Sequence, residues 1–266
     1  MRVERDGIGL NVKVEGPENG PAVVFANSLG TNLQLWDDVV ARMPPALRLV
    51  RYDLRGHGGS DVPEPPYSMG QLVSDAEAIC DACNIRDCVF VGLSVGGLIA
   101  QGLAVKRPDI IRALVLSNTA AKIGHPLFWQ SRIAMLEKEG MRGAADQIMH
   151  RWFGRDFYGT PAMSQWLEML MTAPLKGYIG VCTAISGTDF FTPTSGLRVP
   201  TLGVAGSEDG TTPPDLVRET VDLIPGSQFA LIRRVGHLPP AEDPQAFAEL
   251  LNQFLQDIGH LLPLAK

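Results

Sequence analysis

The stretch GLSVGG (92–97) has the composition and spacing that activate a serine. An apolar run ends at Gly92, Ser94 falls at the turn, and a helical pattern begins at Val95. Gly92 and Gly96 flank the serine at the G-x-S-x-G spacing of a nucleophile elbow, where only small residues let strand and helix approach. A helix start behind the serine also favours negative charge developing on a substrate oxygen. The chemistry served by such a turn is acyl transfer. The bland alternative is an ordinary glycine-rich turn.

A serine hydroxyl is a poor nucleophile until a base takes its proton. Of the five histidines, His57 lies upstream of the elbow in RGHGGS and reads as shaping a loop beside the site. His125 and His150 fall in a helical insertion and His260 near the end of the chain. His237, in RRVGHLPPAEDP, alone satisfies the chain order serine, acid, histidine. The acid is expected on a loop between the two, and PTLGVAGSEDGTTPP (200–214) offers Asp209, with Glu208 as a solvated neighbour. The preceding loop, LSNTAAKIG (116–124), offers Asn118, which cannot carry the charge that supports an imidazolium. An oxyanion hole needs two backbone N–H groups: Val95, after the nucleophile, and by position Leu29 in NSLGT (27–31). A plain strand-to-helix turn is equally compatible with that early loop.

These residues require elements to position them. AVVFAN (22–27), LRLVRYD (47–53), CVFVGLS (88–94), IRALVLSN (111–118), PTLGVAGSED (200–209) and SQFALIRRVGH (227–237) read as buried strands feeding loops. Amphipathic helical patterns follow at 69–83, 95–107, 214–224 and 244–258. The alternation predicts an α/β fold: a mostly parallel sheet with helices on both faces. Residues 121–195 break the rhythm, being rich in aromatic and methionine side chains without a clean strand. Segments 126–141 and 144–153 suggest short helices, so 121–195 is expected to form a helical cap over a cleft, with 1–120 and 196–266 as the core.

Composition bounds the partners. The chain has 266 residues, 45% hydrophobic and 20% charged, with a formal net charge of −6, so it offers no basic face to nucleic acid. No apolar run is long enough to span a bilayer, and the first residues lack the apolar core of a signal peptide; a cytoplasmic protein is expected. Cys80, Cys83 and Cys88 cluster, but no histidine stands near to complete a zinc set, and with Cys182 they read as packed thiols. No metal is expected.

Ser94, Asp209 and His237 in their loops, with RYDLRGHGGS (51–60), resemble the α/β-hydrolase superfamily over almost the whole chain. Most of that superfamily has His-Gly where this chain has Asn27-Ser28. NSLGT followed by Trp36, SNTAAKIG (117–124) with Trp129, HRWF (150–153), GYIGVCTAI (177–185) and GHLPPAEDPQAF (236–247) resemble the 3-oxoadipate enol-lactonases. Val95 replaces a common methionine, at a position whose contact is through backbone. The resemblance implies hydrolysis of a small carboxylated lactone through an acyl-enzyme on Ser94, without metal or organic cofactor. A free carboxylate would need a cation, for which Arg132, Arg151 and Lys122 are candidates, and Trp129 is a candidate pocket wall. A carboxylesterase, another lactonase, a perhydrolase or a C–C bond hydrolase of the same fold would share the triad. A ligand-binding protein of this fold would not be catalytic. The oligomeric state is not legible in the chain.

Overall fold

A computed structural model describes residues 1–261. The chain opens with an antiparallel hairpin, β1 (Arg2–Arg5) and β2 (Ile8–Glu15). Its turn, Asp6-Gly7, has both residues at positive φ (51° and 76°), the conformation that suits the twist of a two-residue hairpin. The strands expected from the sequence begin at residue 22, after this pair.

Next come β3 (Ala22–Ala26), a short 3-10 turn (Leu33–Trp36) continuing into α1 (Asp37–Val40), and β4 (Arg48–Tyr52). They are followed by α2 (Met69–Ala82), β5 (Cys88–Leu93), α3 (Val95–Lys106) and β6 (Ile111–Ser117). After the insertion described below, the chain continues with β7 (Thr201–Gly206), α8 (Pro214–Asp222), β8 (Gln228–Ile232), α9 (Pro239–Glu242) and α10 (Pro244–Asp257). The eight strands form one sheet in the order β1-β2-β4-β3-β5-β6-β7-β8; β1 and β2 are antiparallel, and β4, β3 and β5 to β8 run parallel.

Every residue of β3, β5 and β7 is buried, as expected for strands covered on both faces. Helices lie on both: α3 packs along β3, β5 and β6, and α8 on β7, while α1 meets α10. Ser68 starts α2 with a reciprocal capping box to Gln71, worth about 1 kcal/mol. Because the central strands are parallel, the loops after β3, β5, β6, β7 and β8 emerge at one edge of the sheet, where such folds place their sites.

Between β6 and β7 lie α4 (Pro126–Trp152), α5 (Met163–Thr172), α6 (Leu175–Ser186) and α7 (Phe191–Ser195). α4 is kinked at Gly140 (φ 67°, ψ −177°), which divides it into the two segments read from sequence. α6 sits directly on the RGHGGS loop: a Cβ at Gly177 would lie 1.9 Å from the Gly56 carbonyl oxygen. The four cysteines are free and buried. Among the described residues no helix is long and apolar enough to cross a membrane.

Candidate active site

Ser94 leaves the end of β5 with φ 58° and ψ −117° and heads α3. Such a conformation costs about 1–3 kcal/mol and persists only where its surroundings dictate it. Here the surroundings are explicit. The Ser94 N–H donates to the Ser117 carbonyl (3.0 Å) and Thr119 Oγ1 donates to the Ser94 carbonyl (2.6 Å). A Cβ at Gly92 would lie 2.2 Å from the Gly96 carbonyl oxygen, and one at Gly96 2.3 Å from that of Ala26, so both positions require glycine.

His237 Nδ1 lies 2.8 Å from Asp209 Oδ2, with the two side chains 3% and 0% exposed. Asp209 is held from all sides. Its Oδ1 accepts the N–H groups of Thr211 (2.7 Å) and Thr212 (3.0 Å), and its Oδ2 accepts Thr212 Oγ1–H (2.8 Å) and Asn118 Nδ2–H (2.8 Å). Burial pushes this carboxyl up, but the pairing with His237 and these donors outweigh it and bring it below the usual value. With Asp209 accepting at Nδ1, the other ring nitrogen of His237 keeps a lone pair for a proton. Asn118, at φ 44°, also donates to the Gly236 carbonyl (3.1 Å), joining the acid to the residue before the histidine. The sequence reading passes Asn118 over as an acid and misses its role as a donor. Only the neighbouring position of the two loops could have signalled it.

Glu208 differs from expectation. Its side chain is 18% exposed rather than solvated, because Oε2 accepts the Arg155 N–H (2.8 Å) and Oε1 pairs with Arg155 Nε (2.8 Å). Beside it, Glu242 accepts the N–H groups of Gly154 (2.9 Å) and Gly236 (2.8 Å), one per oxygen. The His237 N–H donates to the Trp152 carbonyl (2.8 Å). The end of α4 is thus tied to the loops of both Asp209 and His237.

The loop after β3 is equally constrained. Asn27 donates to the Tyr52 carbonyl (2.8 Å) and accepts Trp36 Nε1–H (2.8 Å). Ser28 and Leu29 line the same cavity as Ser94 and His237. Val95 is the first residue of α3, so its N–H has no acceptor within the helix.

That cavity is narrow, with about 40 Å³ open to the centres of water-sized molecules. Its other walls are Thr211 and residues of the insertion, among them Phe128, Trp129, Arg132, Arg151, Trp152 and Tyr178. Trp129 is fixed by Nε1–H donating to the Ile123 carbonyl (2.7 Å). The guanidinium carbons of Arg132 and Arg151 stand 5.9 and 5.1 Å from the Phe128 ring centroid. Arg132 is 9% exposed, and among the described residues its buried Nη1 has no hydrogen-bond partner. Burial, then the Arg132 charge, lowers the Arg151 guanidinium below its usual value. Lys122 is placed otherwise than expected: it pairs with Asp189 (3.0 Å) on the surface and is absent from the cavity wall. Asp189 lies just before α7, where the insertion returns to the core.

Residues 20–250 match the alpha/beta hydrolase family. The chain is 34% identical over 260 residues to 3-oxoadipate enol-lactonase 1 of Acinetobacter baylyi, covering 97% of each chain. It superimposes on the crystal structure of an enol-lactonase from Burkholderia xenovorans with a TM-score of 0.92 and 33% identity, over 96% of this chain and 99% of that one. A malate-bound thermophilic esterase from Thermogutta terrifontis gives a TM-score of 0.90 at 25% identity, over 97% and 98%. Fold, family match and these relatives together make the chain a member of the alpha/beta hydrolase family, an enzyme of the 3-oxoadipate enol-lactonase-like carboxylic ester hydrolases.

Proposed function

We propose that the enzyme opens a small carboxylated lactone, 3-oxoadipate enol-lactone in first place, through an acyl-enzyme on Ser94. The observation that carries this reading is the cavity itself. Ser94 and the Asp209-paired His237 share it with two arginines, one of which has a buried N–H without a partner among the described residues. A buried donor left unpaired costs about 1–3 kcal/mol, which a substrate carboxylate would relieve.

In this mechanism Ser94 Oγ attacks the lactone carbonyl while its proton passes to His237. Asp209, ionised by its donors, holds the imidazole and stabilises the imidazolium. The N–H groups of Leu29 and Val95 receive the developing oxyanion. Collapse breaks the ring C–O bond, and the enol oxygen, a good leaving group, takes the proton from His237. Water, activated by the same histidine, then frees the acid from Ser94. Residues 121–195 act as a cap whose arginines select the carboxylate, and Trp129 forms a wall beside them. In this reading Arg132 and Arg151 act together and Lys122 takes no part.

A plain carboxylesterase is the second reading, because a relative with the same fold is an esterase bound to malate, itself a small carboxylate. Comparing turnover of the enol-lactone with that of a neutral ester tests the choice. A strong preference for the lactone, lost when the arginines are replaced, supports the first reading; equal turnover supports the second.

A further inference from the structure

The RGHGGS loop is the sequence motif that this mechanism leaves without a task. In the structure His57 is completely buried and its ring joins two loops. Nε2 accepts the Gly30 N–H at 3.0 Å, and Nδ1 lies 3.3 Å from the Arg55 carbonyl oxygen. These partners fix the ring's state. The Gly30 N–H can only donate, so Nε2 must carry a lone pair; the carbonyl can only accept, so the proton sits on Nδ1. Burial pushes the imidazolium down to about 4, against the pull of the Arg55 carbonyl, and the ring is neutral near pH 7. Arg55 is itself immobilised by a two-point ion pair with Asp75 of α2 (2.6 and 2.6 Å), both side chains being buried.

The Gly30 N–H belongs to the peptide immediately after Leu29. The peptide before Leu29 carries the Leu29 N–H, and its oxygen, that of Ser28, accepts Thr31 N–H (3.2 Å) and Thr31 Oγ1–H (2.8 Å). In a trans peptide the N–H points opposite to the C=O, so the Leu29 N–H faces away from Thr31. The two planes meet at the Leu29 Cα, and fixing both leaves that N–H a single direction. The loop also lacks room to slip, because a Cβ at Gly30 would lie 2.8 Å from the Tyr178 ring.

We propose that His57 is a positioning residue for the oxyanion hole: by accepting the Gly30 N–H it fixes the direction of the Leu29 N–H. The inference rests on reading Leu29 as an oxyanion donor. Deleting an oxyanion donor costs about 10²–10³ in turnover, and misdirecting one should cost somewhat less.

The test uses His57→Leu, which removes the acceptor, and His57→Gln, whose amide oxygen can take the place of Nε2. With p-nitrophenyl acetate, His57→Leu should lower kcat roughly 10- to 100-fold with KM changed less than about threefold. Inhibition by phenylboronic acid, whose Ser94 adduct is tetrahedral, should weaken by a similar factor. His57→Gln should recover most of both losses. Separately, the ¹⁵N imidazole signals of wild-type His57 should report the Nδ1–H tautomer. The inference is overturned if His57→Leu keeps kcat and boronate affinity within about twofold, or if the two variants lose them equally. An Nε2–H tautomer overturns it however the variants fold. An active Ser94→Ala enzyme would instead remove the serine mechanism and leave the Gly30–His57 bond intact.

Discussion

Asn118 Nδ2 stands 2.8 Å from Asp209 Oδ2, so an amide donor occupies the loop after β6 and supports the ionised acid from the neighbouring strand. Asn118→Asp tests this arrangement while keeping a residue type that tolerates positive φ. A second carboxylate there puts like charges together, which raises the pKa of Asp209 and of the imidazolium. The acid limb of the pH–kcat/KM profile should move to higher pH, with kcat lowered roughly tenfold or more at neutral pH. A profile unchanged in position and height would mean that Asn118 does not act on the Asp209–His237 pair.

Asp209→Asn should cost far more activity than Glu208→Gln. The first removes the charge behind the imidazole, an effect of roughly 10⁴ in the chymotrypsin-type triad. The second touches a carboxylate bonded to Arg155 rather than to His237. Steady-state turnover of the two variants on one ester gives the comparison, and similar losses would show the acid to be misassigned.

Arg132→Gln and Arg151→Gln should each raise KM for the carboxylated lactone about tenfold, the worth of a charged hydrogen bond being roughly 1.5–3 kcal/mol. Hydrolysis of p-nitrophenyl acetate should change much less, because that ester has no carboxylate to hold. If both arginines grip one carboxylate, the double variant should lose less than the product of the single losses. Lys122→Gln should leave KM within about twofold of wild type, since its partner is Asp189. Equal loss of both activities in the arginine variants would point to damage to the fold rather than to substrate recognition.

Glu242 gives a pH prediction for stability. Burial pushes its carboxyl up to about 7, despite the N–H groups of Gly154 and Gly236 that pull it down. A group raised above its unfolded value contributes stability that is present below pH 4.5 and lost as pH rises through about 7. Relative to Glu242→Gln, the wild type should therefore lose stability between those pH values, by at most about 1.4 kcal/mol for each step of one in pH. Denaturant unfolding of both proteins at pH 5, 6, 7 and 8 measures the difference; parallel curves would contradict it.

The chain made β3 to β8 legible, and α2, α3, α8 and α10 with them, because each strand is a short apolar run closed by polar loop residues. The turn at Ser94 and the pairing of Asp209 with His237 were legible for a related reason: their positions follow from chain order and from glycine spacing. The first two strands escaped notice although Asp6-Gly7 is a strong hairpin signal, since β1 and β2 mix buried residues with half-buried and exposed ones and hold no continuous apolar run. Other features depend on distances between elements far apart in sequence. That Arg132 and Arg151, of the three candidate cations, share the cavity of Ser94 depends on how α4 packs, which no local pattern states. Lys122 carries the same charge near the same insertion, yet Asp189, 67 residues away, draws it to the surface. Glu208 and Glu242 resemble solvated acids in sequence; only the return of α4 to the His237 loop gives them backbone partners.

That Ser94 opens the carboxylated lactone is tested directly by the turnover of 3-oxoadipate enol-lactone by wild-type and Ser94→Ala enzyme of equal foldedness. Wild type should hydrolyse the lactone in preference to neutral esters, and Ser94→Ala should lose about three orders of magnitude or more in kcat. A Ser94→Ala enzyme that keeps more than about a tenth of wild-type turnover would contradict the account. So would a wild type that leaves the lactone unopened.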